Sequence, residues 1–393
     1  MIKTFHIFAN AALGKGLSGS DRIFIEFAKK LNKEFKVVVH VWEEGYLMCK
    51  RQGLENVEFE IMELKFWNKY GFFICYLARI VKSIWYGLFA KMENSQQVVL
   101  YSASEFWMDS IGVFILKLRF PKIRWVAAWF QTAPNPIFGF SSGNRETKYR
   151  LSAFYYWLMQ LPVKPLIAKF ADFILVNNEL EKSQFPHLNK LQRVLVILGA
   201  VNTENINKYL KKYKNLPKIY DGVFQGRFHP QKGVVELIEI WKLVTKKIPS
   251  AKLALIGDGP LMDEVKLKIK QLKLENNIQI FGYVFDGSQK YKIFASSKIV
   301  VHPAFFDSGG MAAGEGMFFG LPGVGFNLDS YQSYYPMGMV KVKVGDLKSF
   351  SGYIIRLIKN KDMREKIGNE ARKMIKESWS WDERVNQLLI AIS

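Results

Sequence analysis

The chain has 393 residues, 49% apolar and 23% charged, a globular composition that fits two domains of α/β size and excludes a disordered chain or a repeat array. Two cysteines, Cys49 and Cys75, are too few for a disulfide framework and stand in no CxxC pattern, so a reducing cytosolic setting is expected and a zinc site is not. The formal charge of +21 favours anionic partners; phosphorylated small molecules and acidic lipid headgroups fit better than nucleic acid, because the cations are spread over both halves and no zinc-finger, basic-zipper or RNA-recognition signature is present.

Met1–Phe8 lacks the charged start, long apolar stretch and cleavage site of a signal peptide and reads as a first strand. Short apolar runs then alternate with helical periodicity, the pattern of a parallel sheet flanked by helices. In the first half, strands are expected at Thr4–Ala9, Lys36–Val41, Val57–Met62, Val98–Tyr101, Arg124–Ala128 and Phe173–Asn177, with helices such as Asp21–Leu31 and Trp107–Leu118 between them. The pattern restarts after the Lys-rich stretch Lys211–Lys218. Second-half strands are expected at Ile219–Gln225, Lys252–Ile256, Ile278–Phe281, Ile299–Val301 and Gly323–Phe326, with helices at Val234–Lys246, Pro260–Leu272 and Ser288–Ala295. Two successive βα series predict two Rossmann-like domains. Their ligands bind outside the carboxyl ends of the strands, by default in a cleft between domains.

Tyr70–Lys91 stands apart. Phe73, Leu77, Ile80, Ile84 and Leu88 recur at helical spacing, with Arg79, Lys82 and Lys91 off the stripe. The two internal cations leave the apolar run too short to span a bilayer. The plainer expectation is a helix packed on the first sheet; the other is a basic, aromatic-rich helix lying in a membrane interface.

Four strand-to-helix loops carry candidate chemistry. Gly14–Arg22 places Gly16 and Gly19 before a helix start, where backbone N–H groups favour anions, although a tight turn alone also calls for glycine. Gln225–Gly233 carries Arg227 and Lys232, a planar fork and a point charge that can converge on a diphosphate. In Ile256–Pro260, Asp258 is expected to cap the following helix. The most informative loop is His302–Pro322. A helix beginning near Gly310 would aim the amides of Gly309, Gly310 and Met311 at an anion. Gly314 and Gly316 would then cost about 1 kcal/mol each relative to Ala inside that helix, which points to close approach of a ligand or backbone. Glu315 and Asp307 are placed to accept hydrogen bonds from sugar hydroxyls.

These segments together resemble the family 4 group of retaining glycosyltransferases with the GT-B fold. Asp307, seven residues, then Glu315, with Gly309-Gly310-Met311 between and Gly320-Leu321-Pro322 after, is similar to that family's Glu, seven residues, Glu pattern. Arg227 and Lys232 match its diphosphate cations, and Ser18–Arg22 resembles its Gly-Gly-Ala-Glu-Arg loop. Leu198–Thr203 resembles its domain-junction segment, and Ser378-Trp379-Ser380-Trp381 the tryptophan that opens its final helix. Three departures stand out. Asp307 replaces a Glu and is one methylene shorter. Trp129-Phe130-Gln131-Thr132 has no His where the family often has one near the reacting sugar. Asn202 replaces an Asp.

The resemblance implies two Rossmann-like domains facing each other across a cleft, at 1–198 and 199–376, with a terminal helix in 377–393 returning to the first. It implies a metal-independent hexosyltransferase without a cofactor, using a UDP- or GDP-sugar as co-substrate and a glycan or lipid-linked acceptor. Arg227, Lys232 and Asp307 carry catalysis in this reading. Gly19, Gly226, Ser308, Gly309, Gly310, Met311 and Glu315 hold the donor, Glu315 at its ribose and Asp307 at the transferred sugar. Gln131 and Thr132 lie on the acceptor side. The expected setting is cytoplasmic, peripheral on the inner face of the cell membrane at an anionic surface. Three alternatives remain open. A glycoside hydrolase would use the carboxylates but leave the cations and glycine loops unexplained. A non-catalytic nucleotide-sugar or glycan-binding protein would fit the missing His and Asp307. A nicotinamide dehydrogenase is the most distant, since no proper GxGxxG follows the first strand.

Overall fold

The computed structural model describes residues 2–12, 16–137, 139, 150–214 and 216–393. Gly14 and Lys15 of the first glycine loop, and Asn215 within Lys211–Lys218, lie outside the described residues. The chain forms two compact units. The first comprises Met1–Pro136, Ser152–Gly199 and Trp381–Ser393, and the second contains Ala200–Ser380.

The first unit is a seven-stranded sheet. Its strands are β1 (Thr4–Phe8), β2 (Lys36–Trp42), β3 (Glu58–Met62), β4 (Val98–Ser102), β5 (Arg124–Ala128), β6 (Phe173–Val176) and β7 (Val194–Val196), in the order β3-β2-β1-β4-β5-β6-β7. Every pairing is parallel. Parallel strands are covered on both faces and so read as continuous apolar runs; β4 is buried at all its positions. Leu100, Trp125 and Ile174 form the core on one face with Val113, Leu116 and Ile167 from the covering helices.

The second unit is a six-stranded parallel sheet of β8 (Tyr220–Gln225), β9 (Leu253–Ile256), β10 (Ile278–Gly282), β11 (Ser297–His302), β12 (Gly323–Phe326) and β13 (Met339–Val342), ordered β10-β9-β8-β11-β12-β13. Trp241, Leu237 and Phe350 pack with Leu253, Val301 and Phe326 in its core. The expected α/β class and all eleven expected strands are present. The two strands that the pattern did not predict, β7 and β13, are the outermost of their sheets. They are three and four residues long, and half or more of each is only partly buried, so they carry little apolar signal.

The last helix, Trp381–Ile392, packs on Gly19–Leu31 within the first unit. Trp381 meets Phe27 edge-on at 6.4 Å between ring centroids, and Lys30 pairs with Asp382 at 2.6 Å.

The helix Phe72–Phe89 corrects the plainer expectation. Its inward residues are Arg79, Ser83 and Gly87, while Phe73, Leu77 and Leu88 of the expected packing stripe are exposed. The cause is its neighbour. It lies against the helix Trp107–Arg119 so closely that a Cβ on Gly87 would stand 2.8 Å from the Gly112 carbonyl, and one on Gly112 2.6 Å from that of Ser83. Only small side chains fit such a seam. Arg79 tucks in above it, over the Trp42 ring at 4.7 Å, and donates to the Asn10 carbonyl at 3.0 Å.

Candidate functional site

In the second sheet, β9 and β10 lie on one side of β8 and β11 to β13 on the other. The winding therefore reverses between β8 and β11, and the crevice at their carboxyl ends is where open α/β sheets take ligands. The loops there are bonded to one another. The amides of Phe305 and Phe306 donate to the Gln231 carbonyl at 2.8 and 3.3 Å, and Phe228 donates to the Asp258 carbonyl at 2.8 Å. Gly233 adopts φ +63 with the Pro303 carbonyl 2.0 Å from where a Cβ would sit, so no other residue fits this turn. Asp258 does not cap the next helix as expected. Its carboxylate accepts from its neighbour Gly259 at 2.7 Å, and the helix begins later, at Met262.

This framework brings Lys232 to Asp307, Nζ to Oδ2 at 2.5 Å. Arg227 lies on the same loop as Lys232, next to Gly226, with its side chain exposed. Asp307 is the hub of the following loop. Its Oδ1 accepts from the amides of Gly309 and Gly310 at 3.3 and 3.2 Å, and its Oδ2 accepts from the Tyr331 hydroxyl and lies 3.1 Å from His302 Nε2. An ionised carboxylate only accepts, so His302 Nε2 carries the proton. Burial alone would raise the Asp307 carboxyl, but the Lys232 ammonium and the His302 bond outweigh it and hold it far below the ordinary range. Burial holds His302 low, against the pull of Asp307.

Two amides expected to face an anion, those of Gly309 and Gly310, are thus bonded to Asp307. Gly310 has φ +63 and precedes the helix Met311–Phe318. Met311 opens that helix, so its N–H is one that no helical carbonyl can reach. Ser308 lies partly buried between Asp307 and the glycines. Tyr335 donates to the Gly310 carbonyl at 2.6 Å, and Ser330 to that of Asp307 at 2.7 Å.

Gly314 and Gly316 do sit inside the helix, and the protein groups that approach them are side chains rather than backbone. A Cβ on Gly314 would fall 2.4 Å from the Trp379 ring, and one on Gly316 2.4 Å from Val300 of β11. Of the two tryptophans in Ser378–Trp381, Trp379 ends the preceding helix and Trp381 opens the last one. Between these glycines, Glu315 pairs with Lys290, a buried ammonium that also contacts Asp286 at 2.7 Å.

The remaining expected residues lie in the first unit. Gly19 starts its helix behind a capping box: the Ser18 hydroxyl accepts from the Asp21 amide and the Asp21 carboxylate from that of Ser18. Thr132 is held by Glu181, through its amide at 2.9 Å and its hydroxyl at 2.5 Å. The Gln131 carbonyl accepts from Tyr156 at 3.1 Å and Gln160 at 2.7 Å. Beyond β4, Glu105 accepts from Tyr156 at 2.9 Å, and Asp109 from Ser104 at 2.5 Å and the Ala11 amide at 2.9 Å. Burial pushes both carboxyls up to about 7.

Sequence reading did not pick out His302, Lys290, the tyrosines at 331 and 335, or Glu105 and Asp109. His302 carried a usable signal, as the polar end of a buried strand; the others are recognisable only by what they touch. Among the described residues no group of three or more His, Cys, Asp or Glu side chains is gathered to hold a metal.

Residues 202–374 match the family model described as glycosyl transferases group 1, and this span contains the whole β8–β11 site. A curated relative of this chain is the poly(ribitol-phosphate) α-N-acetylglucosaminyltransferase of Staphylococcus aureus. It is 24% identical over 230 residues, 53% of this chain and 45% of that enzyme; the chain thus spans about half the length of the curated relative it matches. Among solved structures, Anabaena HepE in complex with UDP and glucose superimposes with a TM-score of 0.71 at 14% identity, covering 100% of this chain and 99% of that one. S. aureus TarM, as a mutant in complex with fondaparinux, α-GlcNAc-glycerol and UDP, gives 0.71 at 12% identity and covers both chains fully. At these identities the likeness establishes the fold, which is GT-B.

Proposed function

We propose that the protein is a retaining, family 4-type glycosyltransferase that moves a hexose from a UDP- or GDP-sugar to a glycan or lipid-linked acceptor. The observation that carries this reading is the position of Lys232 and the Asp307–Glu315 segment at the winding reversal of the group 1 sheet. An ammonium has three donors, so Lys232 can give one to Asp307 and still meet a phosphate. Arg227, exposed on the same loop, supplies a second, forked cation. Together they would neutralise the charge that grows on the departing diphosphate, which is where electrostatic catalysis acts. Glu315 would accept the ribose hydroxyls while Lys290 balances its charge. Asp307 in this reading orders the glycine loop and positions Lys232.

In the retaining step, the bond from the sugar C1 to the diphosphate oxygen breaks as the acceptor oxygen bonds C1 on the same face. The acceptor proton passes to the leaving diphosphate. An anionic glycan as acceptor is supported by the +21 charge, by the polyol-phosphate polymer in the relative's name and by the ligands of the TarM structure. Release of UDP or GDP from nucleotide sugars tests the reading, with product anomer determined by NMR and activity measured with and without EDTA. Arg227→Ala should lose about 100-fold or more in turnover, the size typical for a lost charge-stabilising donor, with unchanged circular dichroism. Full activity of that variant overturns the assignment.

A further inference from the structure

The helix Phe72–Phe89 is amphipathic the wrong way round for a soluble domain. Phe73, Leu77, Val81, Trp85 and Phe89 recur every fourth residue, and these five side chains are 58%, 60%, 52%, 61% and 64% exposed. Its opposite face is fixed to the helix Trp107–Arg119 by the Gly87–Gly112 seam and to the first unit's core by buried Arg79. The apolar stripe is therefore presented outward by a rigid support. It continues onto the helix Arg150–Gln160, where Tyr155 meets Phe73 edge-on at 5.7 Å and Phe154 and Leu158 are 42% and 47% exposed. Exposed Trp67 and Tyr70 extend it at the other end. Contiguous apolar surface of this extent marks an interaction site.

We propose that this face docks the protein on an anionic lipid bilayer, with the Phe72–Phe89 helix lying in the plane of the interface. Neither residues 64–92 nor residues 150–170 contain an acidic residue, Glu63 and Glu93 bordering the first segment. Among the described residues, the exposed cations of the two segments are Lys69, Lys91 and Lys169, Arg79 being buried. Lys69 and Lys91 are exposed just beyond the two ends of the helix. Apolar side chains entering the headgroup boundary, with cations beside them and Trp and Tyr among them, form the pattern of interfacial helices. A second copy of the chain fits poorly. A two-fold contact would set this basic surface against itself with no acidic partner in either segment, whereas anionic headgroups supply the missing charge. By length and composition the helix is long and apolar enough to cross a membrane, which corrects the expectation that its two cations leave the run too short. Because one face is packed against protein, in this proposal it lies on the bilayer.

Vesicle flotation of the full chain tests the proposal, using phosphatidylcholine alone and with about 30% phosphatidylglycerol as the anionic lipid. The wild-type protein should float with the anionic vesicles and lose binding as salt rises from about 0.1 to about 0.5 M. Leu77→Glu with Trp85→Glu should reduce flotation by about ten-fold or more, with an unchanged thermal melt. Lys69→Glu with Lys91→Glu leaves the apolar face whole and should abolish the preference for anionic vesicles. Absence of wild-type flotation overturns the proposal. So does a folded Leu77→Glu, Trp85→Glu variant that floats like wild type, or a wild-type dimer in sedimentation that this variant dissociates while vesicles are ignored.

Discussion

The carboxylate of Asp307 accepts from five protein donors: Lys232, His302, Tyr331 and the amides of Gly309 and Gly310. Its charge is what the loop is organised around, so removing the charge and removing its partner have different consequences. Asp307→Asn leaves the Lys232 ammonium, only 22% exposed, without a counter-charge and should cost about 3 kcal/mol. Lys232→Met leaves Asp307 its other four donors, so stability should fall less while turnover falls more. Urea unfolding and steady-state kinetics on both variants check this crossing of effects. The pH dependences of the two units run in opposite senses. Asp307 is depressed in the folded state, so its contribution is present above its unfolded pKa of about 4 and is lost as pH falls. Glu105 and Asp109 are raised to about 7, so their contribution is complete below about pH 4 and is lost as pH rises through about 7. Asp109→Asn should therefore flatten the fall in unfolding free energy between pH 5 and pH 8, an effect on the order of a few kcal/mol.

At the scale of elements, the helix Met311–Phe318 accepts two interior glycines because its neighbours come too close for any side chain. Trp379 fills the space over Gly314, and Tyr334 and Tyr335 pack on that indole at 5.6 and 5.5 Å between centroids. The aromatic cluster sets where the helix start, and with it the Asp307 loop, can sit. In an exposed helix Gly→Ala gains about 1 kcal/mol. Here Gly314→Ala should instead lose about 1–3 kcal/mol by overpacking and shift the melting temperature downward. Asn202, which stands where the family has Asp, caps the helix Thr203–Lys212 by accepting from the Asn205 amide at 3.3 Å. Both residue types perform that task about equally, so the substitution is neutral for the helix.

For the molecule as a whole, each unit is a parallel sheet with one reversal of winding, between β1 and β4 in the first and between β8 and β11 in the second. The two reversals are chemically unlike. The first is lined by carboxyls whose burial raises them to about 7, the second by paired and exposed cations. A nucleoside diphosphate should therefore engage the second. UDP or GDP at about 100 times its dissociation constant should stabilise the protein by about 2.7 kcal/mol. A thermal-shift series should lose that gain in Arg227→Ala and show it declining with salt.

By itself the sequence determined the βα alternation, the eleven better-marked strands and the loops that bear Arg227, Lys232, Asp307 and Glu315. Buried parallel strands must be apolar and the turns at their ends must be glycine-rich, and both requirements are local. It did not determine that Asp307 turns toward Lys232 and the loop amides, that Trp379 is the reason for Gly314, or that Phe72–Phe89 faces outward. Each of these depends on what lies opposite, often tens of residues away in the chain. Helical periodicity names the apolar stripe of Phe72–Phe89, but only the Gly87–Gly112 seam, too close for a Cβ at either glycine, decides that the stripe faces away from the core.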